Sequence, residues 1–245
     1  MTVHRGSLAG LIVQLGLLAV LVGTVDLGGV GALVGLAYGV AVVALLSGAL
    51  QRSGAAILGP ADLVTLLRSV LVGGVAALVA DSFLRPVPVG TLILLAAVAL
   101  ALDGVDGWVA RSTGTVSAVG ARFDMEVDSV LVLVLSASVA RSLGAWVLAI
   151  GSVRYVRLFT GWVLPWLRRP VPARYWCKVV ATVQGVVLTV SAADVLPRAV
   201  AVRALVVVAA LLAESFGREV WWLWRGRDLV AGGDVGASVV GARHG

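Results

Sequence analysis

Charge is scarce in this chain. Of its 245 residues only 13% are Asp, Glu, Lys or Arg, against 60% hydrophobic, and the mean hydropathy is +1.05. A water-soluble globule carries about 25% charged residues, so that class is excluded. Cysteine is limited to Cys177, which excludes a disulfide framework. Histidine is limited to His4 and His244 near the termini, which leaves no histidine-based metal site. Any bound metal must therefore sit on oxygen. Lysine is limited to Lys178, and the formal net charge of +6 is carried by arginine. In so apolar a chain that balance points to cytoplasmic loops and anionic lipid or phosphate partners, not to nucleic acid.

Apolar stretches near twenty residues recur along the chain, each bounded by Arg, Gly, Pro or Asp, as consecutive membrane-spanning helices do. Eight spans are predicted, at about 8–25, 29–50, 62–80, 88–110, 118–140, 143–164, 178–194 and 199–217. The fold class is therefore all-α, a polytopic integral membrane helical bundle. Arg5 precedes the first apolar run as in a signal peptide, but the run is long and no small-residue cleavage pattern follows it. The first two spans read as a hairpin turning at Asp26 and Gly28-Gly29. The chain divides into this hairpin and its connector (1–59), a six-helix core (60–217) and a cytoplasmic tail (218–245), Gly/Ala/Val-rich from Gly226 onward, expected to be disordered.

Orientation follows from the Lys and Arg residues of short loops and helix ends. With the N-terminus inside, thirteen fall on the inner side: Arg5, Arg52, Arg68, Arg111, Arg122, Arg168, Arg169, Arg174, Lys178, Arg218, Arg225, Arg227 and Arg243. Only Arg85, Arg141 and Arg198 fall outside. Both termini are thus expected in the cytoplasm, in a multi-pass protein of the cell membrane. Trp162, Trp166, Trp176, Trp221, Trp222 and Trp224 cluster beside the inner ends, as an interfacial aromatic belt contacting membrane lipid would.

Acidic residues are the rarest charge, yet five of thirteen fall between positions 103 and 128: Asp103, Asp106, Asp124, Glu126 and Asp128. Asp103, Asp106, Gly107 and Ala110 stand at i, i+3, i+4 and i+7, so they share one stripe of the fourth helix. Gly120, Asp124 and Asp128 stripe the fifth helix at i, i+4 and i+8. The short connector 112–117 makes these helices antiparallel neighbours whose stripes can face each other. If the fourth helix begins near Pro88, Asp103 lies roughly 22 Å along it at about 1.5 Å per residue, inside a membrane core about 30 Å thick. Four submerged carboxylates would cost on the order of 10 kcal/mol. Two divalent cations would balance four negative charges, and hard oxygen ligands suit Mg²⁺, Mn²⁺ or Ca²⁺. Such a site suits substitution at phosphorus, with the ions holding a diphosphate. Gly107 and Ala110 leave room for a nucleotide against the helix, and Arg111 beside them can hold phosphate bidentately.

The run Asp103-Gly-Val-Asp106-Gly107-Trp-Val-Ala110-Arg111, eight residues, Gly120, three residues, Asp124, three residues, Asp128 resembles the D-x-x-D-G-x-x-A-R-x8-G-x-x-x-D-x-x-x-D signature of the CDP-alcohol phosphatidyltransferases, at every fixed position. The resemblance covers about residues 60–217. It implies an integral membrane enzyme, usually a homodimer, that uses CDP-diacylglycerol or a related CDP-alcohol and releases CMP. It implies Asp103, Asp106 and Asp124 as ligands of two Mg²⁺ or Mn²⁺ ions, with Asp128 the general base and near a metal. Gly107, Ala110 and Arg111 would border CDP, and Gly120 would permit close helix approach. Asp62, Thr65 and Arg68 resemble an N-x-x-T-x-x-R stretch that often opens the core of this family, with Asp62 in place of Asn, and fall to the CDP site by the same resemblance. Lys178 and Gln184 resemble a K-x-K-T-x-x-Q stretch in which Val180 and Ala181 replace Lys and Thr.

Three further features bear on the acceptor and on rival functions. Arg154 and Arg157 lie one turn apart inside the sixth span, where topology explains them poorly. With Lys178 they suit an acceptor that already carries phosphate, such as glycerol 3-phosphate or inositol phosphate, as in phosphatidylglycerophosphate or phosphatidylinositol phosphate synthases. They suit a lipid phosphate equally well. Glu126 falls off the stripe and reads as structural or supporting, and Glu214 is a distant partner for Arg203 inside the last span. An ion- or proton-coupled transporter also submerges acidic residues, but scatters them or shows repeated halves. An intramembrane prenyltransferase needs a second Asp-rich motif, which this sequence lacks, and a catalytically dead scaffold would not retain every signature position.

Overall fold

The computed structural model describes residues 3–53, 60–113, 118–163 and 175–231. Among them the chain forms eight α-helices and no strand: α1 (Val3–Val25), α2 (Gly29–Ser53), α3 (Pro60–Asp81), α4 (Val89–Thr113), α5 (Ala118–Leu143), α6 (Val147–Val163), α7 (Tyr175–Ala192) and α8 (Arg198–Ala231). Eight predicted spans correspond to these eight helices. By length and apolarity four of them can cross a membrane, over Leu8–Val25, Gly29–Ala49, Asp62–Asp81 and Arg198–Arg218, and Val89–Val105 and Val179–Ala192 are shorter apolar helices. The carboxylates of α5 and the arginines of α6 dilute the apolar character of those two.

Turn chemistry accounts for the helix ends. A residue with positive φ follows α1, α5 and α7: Asp26 (φ 54°), Gly144 (φ 105°) and Asp194 (φ 54°). Glycine and aspartate tolerate that left-handed conformation, which ends a helix and reverses the chain. Gly144 closes its cap by donating its N–H to the Ala140 carbonyl at 3.0 Å. Proline opens the next helix in three places, with Pro60 the first residue of α3 and Pro88 and Pro197 just ahead of α4 and α8. The last apolar span is expected to end at 217, and α8 continues beyond it to Ala231. The polarity that stops an apolar pattern after Gly217 does not stop a helix, because Arg, Glu, Leu and Trp are all compatible with one and no proline intervenes.

Helix α3 is the centre of the bundle. It packs against the α1–α2 hairpin on one flank and against α4 and α5 on the other, while α6, α7 and α8 complete the far side around α5. Val72, Val75, Ala77 and Leu78 of α3 are fully enclosed, as are Leu131 and Leu135 of α5, Leu188 of α7 and Leu205 of α8. Close approach on the hairpin flank depends on glycine. A Cβ on Gly73 would lie 2.5 Å from Gln14 Nε2 and 2.8 Å from Tyr38, and one on Gly74 would lie 2.9 Å from Leu17. Buried Gln14 donates its amide N–H to the Gly35 carbonyl at 3.3 Å and so ties α1 to α2.

A polar clasp pins the hairpin turn. Buried Asp81, at the end of α3, accepts the Gly28 N–H at 3.0 Å and Arg85 Nε at 2.6 Å. Arg85 Nη1 also reaches Asp26 at 3.5 Å. The hairpin is thus joined to the core by packing and by charge.

Candidate active site

Three helices bring charge to one place. Asp103 comes from α4, Asp124 and Asp128 from consecutive turns of α5, and Arg68 from the middle of α3. Carboxylate oxygens of the three aspartates lie within 4.8 Å of one another, so Asp103 of α4 faces Asp124 and Asp128 of α5. Arg68 is fully buried and inserts its guanidinium among them. Nη1 pairs with Asp128 Oδ1 and stands 3.2 Å from Asp103 Oδ1, and Nη2 pairs with Asp124 Oδ1. The aspartate side chains retain 36%, 32% and 40% of their exposure, so the cluster is dry on the Arg68 side and open on the other.

One guanidinium against three carboxylates leaves a formal excess of two negative charges, which is expensive at membrane depth unless more cation arrives. The donor set is all carboxylate oxygen, with no described cysteine or histidine in the group, and this fits a hard divalent ion. Asp106, Gly107, Ala110 and Arg111 occupy the following turns of α4, and their side chains lie outside the described residues. Gly120 sits in the first turn of α5, one turn ahead of Asp124.

The remaining predicted residues divide. Asp62, Thr65 and Arg68 follow one another along α3, with Thr65 buried and Asp62 half-buried. Resemblance alone gives Arg68 to the CDP site and does not anticipate its place among the aspartates. A signal for it existed. An arginine inside the run Leu66-Leu67-Arg68-Ser69-Val70 must find a buried negative partner, and the dense acidic group at 103–128 is the obvious one. Arg154 pairs with Glu126 at 2.6 Å and so bolts α6 to α5, whereas Arg157 is exposed. Lys178 falls in the first turn of α7 with its side chain outside the described residues. Gln184 is buried and donates to the Ile150 carbonyl at 3.0 Å, fastening α7 to α6. Glu214 pairs with Arg218 one turn on, not with Arg203.

A family model described as CDP-alcohol phosphatidyltransferase matches residues 58–216. The chain belongs to the CDP-alcohol phosphatidyltransferase family. A search of curated proteins and a search of solved structures gave no match. Members of this family are membrane transferases that move a phosphatidyl group from a CDP-alcohol in phospholipid synthesis, and the family uses a divalent metal. The matched region runs from the connector before α3 into α8 and contains the whole aspartate cluster. The α1–α2 hairpin stands outside it. Within the CDP-alcohol phosphatidyltransferase region, α3, α4 and α5 supply every residue of the cluster.

Proposed function

We propose that this protein transfers the phosphatidyl group of CDP-diacylglycerol to the hydroxyl of a small polar alcohol and releases CMP. The observation that carries the reading is the convergence of Asp103, Asp124 and Asp128 from two helices inside the family's matched region. Asp103, Asp106 and Asp124, with Asp128 beside them, would hold two Mg²⁺ or Mn²⁺ ions. Bound there, the ions supply positive charge to the diphosphate and to the departing CMP. The chain's own residues do the rest. Asp128 accepts the proton of the acceptor hydroxyl, whose oxygen forms a bond to the lipid-side phosphorus as the bond from that phosphorus to the CMP oxygen breaks. Gly107 and Ala110 would leave space for the nucleotide, and Arg111 of α4 with Asp62, Thr65 and Arg68 of α3 would border the CDP group. Gly120 would permit close approach of a neighbouring helix to the start of α5.

For the acceptor, Arg154, Arg157 and Lys178 favour an alcohol bearing phosphate, glycerol 3-phosphate or inositol phosphate. Arg154 would receive that phosphate by exchanging it for Glu126. The active site and both termini face the cytoplasm in this reading, which the arginine bias of the loops on that side supports, and the enzyme works as a homodimer. Detergent-purified protein incubated with CDP-diacylglycerol, Mg²⁺ or Mn²⁺ and a panel of alcohols tests it, with CMP and lipid product read by mass. The panel starts with glycerol 3-phosphate and inositol phosphate, then serine and inositol. CMP release that depends on one acceptor is expected. No release with any acceptor, from protein that remains folded, overturns the proposal.

A further inference from the structure

Arg68 is an unusual neighbour for a cation site. Its guanidinium contacts Oδ1 of Asp103, Asp124 and Asp128, so a divalent ion drawing on the same carboxylates must share them with a resident positive charge. The two faces of the cluster differ. Arg68 is fully buried, and Leu66, Ser69, Val70 and Val72 beside it on α3 are buried too, so the guanidinium has no water to retreat into on its own side. The carboxylates are open by about a third on the other. Repulsion between a guanidinium and an ion on shared ligands is weakly screened in such surroundings.

We infer that Arg68 is a positioning residue that competes with divalent cations for the aspartate cluster and sets a low intrinsic metal affinity. This rests on the proposed metal-binding role of those aspartates. Two functions combine in one side chain. Arg68 keeps Asp124 and Asp128 aligned across one turn of α5 and offsets part of their mutual repulsion. It also holds metal affinity down until something else engages the guanidinium. A diphosphate is a suitable competitor, because guanidinium pairs with phosphate oxygens as readily as with carboxylate. Metal and nucleotide would then enter together, and the cluster would not be locked by ions in the absence of substrate.

The sign of the effect separates this role from a purely structural one. If Arg68 only braces the site, its loss loosens the aspartates and weakens metal binding. If it competes, its loss strengthens binding. Full-length protein in detergent is titrated with Mn²⁺ alone, with free Mn²⁺ followed by electron paramagnetic resonance, for wild type, Arg68→Gln, Arg68→Met and Arg68→Lys. Gln and Met are made in parallel so that one folded, monodisperse neutral variant suffices. The expected result is Mn²⁺ binding at least about tenfold tighter in the neutral variant. Arg68→Lys, which keeps the charge but cannot bridge two carboxylates, should fall between that variant and wild type. Equal or weaker binding in a folded neutral variant overturns the inference while leaving the metal site standing. Failure of both neutral variants to fold would itself count against it, since competition predicts a cluster that tolerates loss of the arginine when Mn²⁺ is supplied. A folded neutral variant that takes up no more Mn²⁺ than the same variant carrying Asp124→Asn would instead overturn the metal site, and with it this inference.

Discussion

At the residue scale the site is an arrangement of like charges made tolerable by one buried arginine. Asp128 contacts Arg68 yet keeps two-fifths of its side chain exposed, which leaves an edge of the carboxylate facing outward for a substrate proton. Asp128→Asn should therefore lower CMP release by about 10²- to 10⁴-fold, the usual worth of a positioned base, while Mn²⁺-dependent CDP binding by calorimetry stays within a few-fold of wild type. Full activity in that variant would rule Asp128 out as the base. Chelation by EDTA should abolish CMP release, and added Mg²⁺ or Mn²⁺ should restore it; persistent turnover after exhaustive chelation would contradict the proposed metal role. The aspartates were legible as a sequence pattern because i, i+4 spacing fixes which residues share a helix face. Arg68 was less so. Its partners lie 35 to 60 positions away along the chain, and that pairing depends on how α3 is rotated about its own axis, which no local spacing records. The pairing of Glu126, read as structural or supporting, with Arg154 was hidden for the same reason: it emerges only when α5 and α6 lie side by side.

Between elements, the seam joining α3 to the hairpin is made of glycines, and its tightness can be tested. Gly73→Leu would drive a side chain into Gln14 and Tyr38, and overpacking of this kind costs about 1 to 3 kcal/mol. A lowered melting temperature in detergent is expected, followed by intrinsic tryptophan fluorescence, and an unchanged one would mean that the seam is looser than it looks. Loss of the Asp81 carboxylate should also destabilise the protein. Asp81→Ala would leave the Arg85 charge and the Gly28 N–H without their shared acceptor, a cost of about 3 to 5 kcal/mol for a fully buried pair. The half-exposed Arg85 should bring it nearer the lower figure. The hairpin's existence was legible from two apolar runs around Asp26 and Gly28. Its attachment was not, since Asp81 and Arg85 sit more than fifty residues further on and look, in sequence, like an ordinary loop end.

For the molecule as a whole, the eight helices follow the eight apolar runs closely, because a membrane interior requires every backbone polar group to be satisfied within its own segment. Helix α8 departs from that match since the rule constrains the apolar part of a helix and says nothing about how far it continues into water. Sidedness gives a prediction at this scale. A protease site placed after Gly245 should be cut in inverted membrane vesicles and protected in intact cells, with the reverse pattern contradicting a cytoplasmic C-terminus.

One consequence follows from α3 serving as a shared wall. Its Arg68 side meets the carboxylates and its Gly73 side meets the hairpin, about one and a half turns apart on the same rigid rod. A small lipophilic compound that wedged between Gly73 and Gln14 would tilt that rod and shift the guanidinium with it. Such a compound would slow turnover without resembling nucleotide or lipid, and raising the concentration of either substrate would not relieve it.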